Sequence, residues 1–167
     1  MAARRFRPPD ARFFRTLYAL GLGPIVGRLI LLLTTTGRKS GLPRLTALQY
    51  EQVDGAYYLG SSRGLQADWV RNLMAQPRVG VRVRSRAFEG RAEVVTDPER
   101  LTDFLELRLQ RHPRMVGRIL QMDGLPAHPS RPELAAYAAR LALVIVHPQA
   151  DGPASGGGRD RDATMKA

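Results

Sequence analysis

The chain has 167 residues, 44% of them hydrophobic and 25% charged, enough to bury one sizeable core and unlike a fibre or a wholly disordered polymer. It has no cysteine, which excludes disulfides, thiolate zinc sites, iron–sulfur clusters and a cysteine nucleophile; the three histidines, His112, His128 and His147, each precede proline without metal-ligand spacing, so no metal site is expected. The net charge of +11 is concentrated in residues 1–44, where nine cations face Asp10 alone, and it points to an anionic partner; with only 7% aromatic residues, nucleic acid is disfavoured.

Residues 1–11 read as a basic tail, and Pro8-Pro9-Asp10 as a helix start with Asp10 as N-cap. Phe13, Phe14, Leu17 and Tyr18 then fall on one helical face with Arg12 and Arg15 opposite. Such a helix suits a cover over the domain better than a membrane anchor, with peripheral contact to an anionic membrane as the other reading. The apolar window 17–33 is interrupted by Gly21, Gly23, Pro24, Gly27 and Arg28 and falls short of a span of ~20 residues. With no signal-peptide pattern either, a cytoplasmic protein is expected, at most peripheral at the inner membrane face.

The apolar run Leu29-Ile30-Leu31-Leu32-Leu33 leads into Thr34-Thr35-Thr36-Gly37-Arg38-Lys39-Ser40-Gly41-Leu42-Pro43-Arg44, where three cations lie within seven residues on glycine-freed backbone. Exposed amides and cationic side chains converging in one turn suit a phosphate or carboxylate chain. Next, residues 45–51 have strand propensity, Asp54-Gly55 is a tight-turn pair and residues 56–61 read as the hairpin partner. Ser61-Ser62-Arg63-Gly64 turns the chain toward a short helix over 68–74 that holds the only tryptophan, Trp69. Residues 79–84 alternate apolar and basic side chains as a half-exposed strand should, and pair with 87–95 in a meander. Thr96-Asp97-Pro98-Glu99 is a capping-box signature for a helix with Leu101, Phe104 and Leu105 on its apolar face. A second helical piece carries the stripe Met115, Ile119, Met122, read as core, and stops at Asp123-Gly124. Ser130-Arg131-Pro132-Glu133 caps a third helix through Leu134 and Tyr137, followed by a strand over 141–146. The polar, glycine-rich residues 148–167 have nothing to bury and read as a disordered tail, leaving one domain over 12–147.

This order predicts an α+β fold, mainly antiparallel β: a small barrel flanked by helices, not a doubly wound sheet with singly alternating helices. The basic turn also lacks the spacing of a P-loop or of a GxGxxG turn.

At three blocks the chain resembles the deazaflavin-dependent nitroreductase family, whose members adopt a split β-barrel related to flavin-binding reductases. The blocks are Leu33 through Arg44 as written above, Ser61-Ser62-Arg63-Gly64, and Trp69-Val70-Arg71-Asn72-Leu73 followed by Gln76-Pro77. The resemblance implies coenzyme F-420, a deazaflavin with a phosphodiester and glutamate tail, with flavin mononucleotide as runner-up. Arg38, Lys39 and Arg44, with backbone at Ser40 and Gly41, would hold the tail; Ser61, Ser62 and Arg63 would line the ring, and Trp69 with Asn72 would support the same wall. The implied activity is hydride transfer to a quinone, an activated alkene or a nitro compound, with Ser62 as donor and Tyr137 as second catalytic candidate. Tyr137 is the only aromatic in the stretch 134–138, which favours a bulky apolar quinone over nitroimidazoles. A non-catalytic carrier of flavin, haem or lipid is the alternative that the same barrel allows, and homodimerisation would cover an exposed sheet edge.

Overall fold

The structure, a computed structural model, describes residues 30–149. The basic tail, the helix expected after Asp10 and most of the expected C-terminal tail lie outside the described residues. Seven strands form one antiparallel sheet: β1 Ile30–Thr36, β2 Pro43–Gln49, β3 Glu51–Val53, β4 Ala56–Ser61, β5 Arg78–Val83, β6 Arg86–Val95 and β7 Ala142–Pro148, in the spatial order β2-β1-β5-β6-β7-β4-β3. A 3-10 turn at Gly64–Gln66 precedes helix α1, Asp68–Ala75; α2 (Pro98–Arg111), α3 (Pro113–Met122) and α4 (Arg131–Ala138) fill the interval before β7.

The sheet curls because the sequence leaves it no alternative. Strands β2 and β3 are its two edges, yet only Tyr50 separates them. Adjacent Cα atoms lie about 3.8 Å apart, so the two edges must meet at that residue. The result is a barrel whose seam is bridged by the chain itself, with β2 bonded to β1 alone and β3 to β4 alone.

Two apolar clusters follow from strand alternation. Leu31, Leu33, Leu59, Val79, Val81 and Val83 point into the barrel, together with Val144 and Val146. On the opposite face Leu143 and Ile145 pack with Leu101, Phe104, Leu105, Leu120, Leu134 and Tyr137 under α2, α3 and α4. Strand β7 therefore buries both faces, and each such side chain contributes about 1.5–3 kcal/mol when removed from water. Among the described residues no helix is long and apolar enough to cross a membrane.

Several elements differ from the sequence reading. The apolar run before the basic turn becomes β1: Leu31, Leu32 and Leu33 are all buried, so both faces are covered and alternation is lost. The strand expected over 45–51 is divided at Tyr50; its first part pairs with β1, and only its last residue, Glu51, joins the hairpin with β4. The cap of α2 is Asp97, whose carboxylate accepts the Arg100 amide at 2.9 Å, in place of a Thr96–Glu99 box. The Ser130–Glu133 box forms as expected, and the Ser130 amide holds the Glu133 carboxyl below its usual range. In α3 the buried positions are Val116, Gly117 and Leu120; Met115 and Ile119 are only partly covered, and Met122 is exposed.

One charged network fastens the seam. Glu51, 5% exposed, lies 3.5 Å from Arg108 Nε, 3.4 Å from Arg111 Nη1 and 3.2 Å from His112 Nε2, while Arg108 Nη2 donates to Gln49 Oε1 at 2.7 Å. The C-terminal turn of α2 thus grips the chain on both sides of Tyr50.

Candidate functional site

Strand directions gather most of the expected site at one end of the barrel. Thr34 pairs with Gly80, Val95 with Leu143 and Ser61 with Ala142. The ends of β1, β4 and β6 and the beginnings of β5 and β7 therefore share that end. The 37–42 turn, the Ser61–Arg63 turn and α1 are all set there.

The 37–42 turn is closed internally. The Gly37 amide donates to Leu42 O at 2.8 Å, and Gly37 O accepts the Ser40 and Gly41 amides at 3.2 and 2.7 Å. Gly41 has φ +67°, the left-handed region that a side chain disfavours. Because the Ser40 and Gly41 amides both serve the turn, any anion at its surface meets side chains first. The Ser40 hydroxyl accepts the Leu42 amide at 3.3 Å and stands 3.5 Å from Arg44 Nη2.

A second element braces the turn from outside. Asn72 on α1, 5% exposed, accepts at Oδ1 from the Arg38 amide at 3.1 Å and from Arg38 Nη1 at 3.2 Å. Its Nδ2 donates to Thr35 Oγ1 at 3.2 Å, and that hydroxyl stands 3.5 Å from Arg44 O. Arg38 also meets Asp68 Oδ1 at 3.0 Å, and this guanidinium lowers the Asp68 carboxyl pKa, first through their hydrogen bond and then through charge. The three cations are consequently not equivalent. Arg38 is engaged within the fold, whereas Lys39 and Arg44 are exposed and, among the described residues, have no acidic partner.

Between this turn and α1 lies a hollow of about 370 Å³ lined by Lys39, Ser40, Arg44, Thr46, Trp69 and Asn72, and also by Gly37, Arg38 and Asp68. Two free cations and a hydroxyl beside a half-buried indole form a donor set that fits an anionic tail leading to an aromatic ring. A larger hollow of about 520 Å³ lies outside β1, β2, β5 and β6, but Arg82 is its only cation and none of the expected site residues line it.

The remaining expected residues separate. Ser61 is buried and its hydroxyl donates to Gly64 O at 2.9 Å, holding the tight turn. Ser62 and Arg63 are exposed on that turn, at the same barrel end but outside the lining of the 370 Å³ hollow. Tyr137 belongs to the cluster beneath the helices; its hydroxyl donates to Asp123 Oδ2 at 2.5 Å, and the Arg140 guanidinium lies 4.3 Å above its ring. Burial, then the Asp123 contact, push this phenol up to about 12. Thr35, Thr46 and Asp68 enter the site without being singled out by the sequence: Asp68 and Thr35 act through partners 30 and 37 residues away, and Thr46 joins by lining the hollow.

A curled antiparallel sheet with α2, α3 and α4 on its outer face, α1 against the barrel interior and a basic hollow at one end of its strands defines the split-barrel class. Solved structures of similar fold include a pyridoxamine 5′-phosphate oxidase-like protein from Listeria innocua (12% identity, 75% of this chain and 90% of that one, TM-score 0.50). The heme storage protein HutZ from Vibrio cholerae is another (15% identity, 81% and 89%, TM-score 0.51). An F420-H2 dependent reductase, FDR-A, matches at 25% identity over 73% and 95%, with TM-score 0.49. The family model for F420H(2)-dependent quinone reductase matches residues 10–117, more than half of the chain. The protein belongs to this family, and is a reductase that uses coenzyme F-420.

Proposed function

We propose that the protein passes a hydride from reduced coenzyme F-420 to a quinone, with the cofactor tail seated on Lys39 and Arg44. The observation that carries this reading is the pair of cations, free of acidic partners among the described residues, facing one hollow with Trp69. Bound there, the deazaflavin supplies the hydride from carbon 5 of its reduced ring. Lys39 and Arg44 make charge-assisted bonds to the phosphodiester and glutamate oxygens, and Ser40 Oγ adds a neutral partner. Trp69 forms an apolar wall that shields the ring from water.

Ser62, exposed on the turn after β4, would give a hydrogen bond to the acceptor carbonyl, whose proton would then come from solvent. Ser61 and Tyr137 are assigned supporting parts, because their hydroxyl protons are engaged with Gly64 O and Asp123.

The test is a parallel titration with reduced coenzyme F-420, flavin mononucleotide and haem, followed by menadione while deazaflavin absorbance is recorded. Selective deazaflavin binding with menadione-dependent reoxidation supports the reading. Binding of flavin or haem alone would reject it and favour a carrier.

A further inference from the structure

We propose that Asn72 is a positioning residue for the anion site, a latch that sets the basic turn from the wall of the hollow it helps to line. The inference rests on the tail-binding reading above. Its basis is that three of the four hydrogen bonds this amide can make are taken up inside the protein. Oδ1 accepts twice from Arg38, and Nδ2 donates to Thr35 at 3.2 Å. The residue is 5% exposed, so its side chain presents little surface to a ligand.

The three contacts reach both sides of the turn. Arg38 precedes Lys39 directly, and Thr35 stands across the hairpin from Arg44 in register and 3.5 Å from its carbonyl oxygen. A single side chain from α1 therefore fixes the backbone that carries each free cation. Arg38 works with it: its guanidinium bridges Asn72 Oδ1 and Asp68 Oδ1, so its charge closes the latch and the two cations beyond it are left for the ligand. Thr35, 1% exposed, is the intermediate link, accepting from the amide while facing β2. Removing the latch leaves Lys39 and Arg44 in place chemically but lets their spacing vary, and an ordered anion site becomes two mobile charges.

A ligand pair separates this role from its rivals. Affinities are measured for coenzyme F-420 and for its riboflavin-level fragment, which has the same ring and ribityl chain without phosphate or glutamates. For Asn72→Leu, the expected result is about a tenfold loss for coenzyme F-420 and less than about twofold for the fragment. Thr35→Val should give the same pattern, and Thr35→Ser, which keeps the hydroxyl, should restore the wild-type value. Thr35→Val also covers the case in which Asn72→Leu does not fold. In turnover with menadione, the loss should appear in the KM for coenzyme F-420.

Equal losses for both ligands would overturn the inference by making Asn72 a ring contact or a general packing residue. No loss for either ligand in folded variants would overturn it too. A wild-type protein that binds ligand and fragment equally would reject the tail site itself, an outcome distinct from the other two.

Discussion

Replacing Lys39 and Arg44 together by alanine tests the site most directly. Neither side chain has an acidic partner among the described residues, so their removal leaves no carboxylate unpaired and the folded barrel should persist. What is lost is interaction with the ligand. A hydrogen bond to a charged group contributes about 1.5–3 kcal/mol, and the lower figure suits two exposed cations. Together they come to about 3 kcal/mol, or about a 150-fold weaker Kd. Exposed charges are also screened over about 8 Å at physiological salt, so the gap between wild type and variant should narrow as salt rises. Fluorescence titration of coenzyme F-420 at low and high salt, with thermal unfolding as control, measures both effects. A Kd within about threefold of wild type at low salt, in a folded double variant, would refute the assignment.

Three further expectations concern the scaffold. Gly64 has φ +53°, and an added Cβ would lie 2.7 Å from the Arg140 carbonyl oxygen, so Gly64→Ala should cost at least about 2 kcal/mol in urea unfolding. Wild-type stability in that variant would mean that the turn relaxes. Glu51→Ala removes the shared carboxylate of Arg108, Arg111 and His112 and should cost about 3 kcal/mol; a loss below about 1 would show the network to be peripheral to the fold. The Tyr137 phenol is raised from 10 to about 12, so the folded state favours its neutral form. Its contribution is complete below pH 10 and is lost as pH climbs toward about 12. The stability difference between wild type and Tyr137→Phe should accordingly stay constant up to pH 10 and shrink above it, as read by urea unfolding at a series of pH values.

The parts of this protein governed by neighbours in sequence were legible from the sequence. The helix over 68–74, the strands over 79–84 and 87–95 and the Ser130–Glu133 box agree with the structure to within a residue or two, because periodicity and capping are local. Strand β1 is not legible in the sequence, since a strand covered on both faces loses the alternation that marks one. The division at Tyr50 was equally hidden, because it reflects which partner each half of the stretch 45–51 finds. At the site, the cations of the basic turn are legible in the sequence, and Trp69 lines the same hollow. The unequal fates of its cations were not legible: Arg38 is engaged by residues 30 and 34 positions away. Ser61 likewise reads as a free hydroxyl until Gly64 O is seen beside it.

Strand β7 lies between β6 and β4 in the sheet although it follows both in sequence. A ribosome making this protein therefore releases two incomplete half-sheets, β2-β1-β5-β6 and β4-β3, before the strand that joins them. Until residue 148 emerges, β6 and β4 each display an unpaired edge, and the apolar faces that β7 will cover are open to water. Nascent chains should consequently be vulnerable to mispairing and to holdase capture until β7 emerges, with stable folding of the sheet waiting on that strand. Progressive C-terminal truncation should expose this as an abrupt loss of soluble protein when the deletion enters β7, with no gradual decline before it.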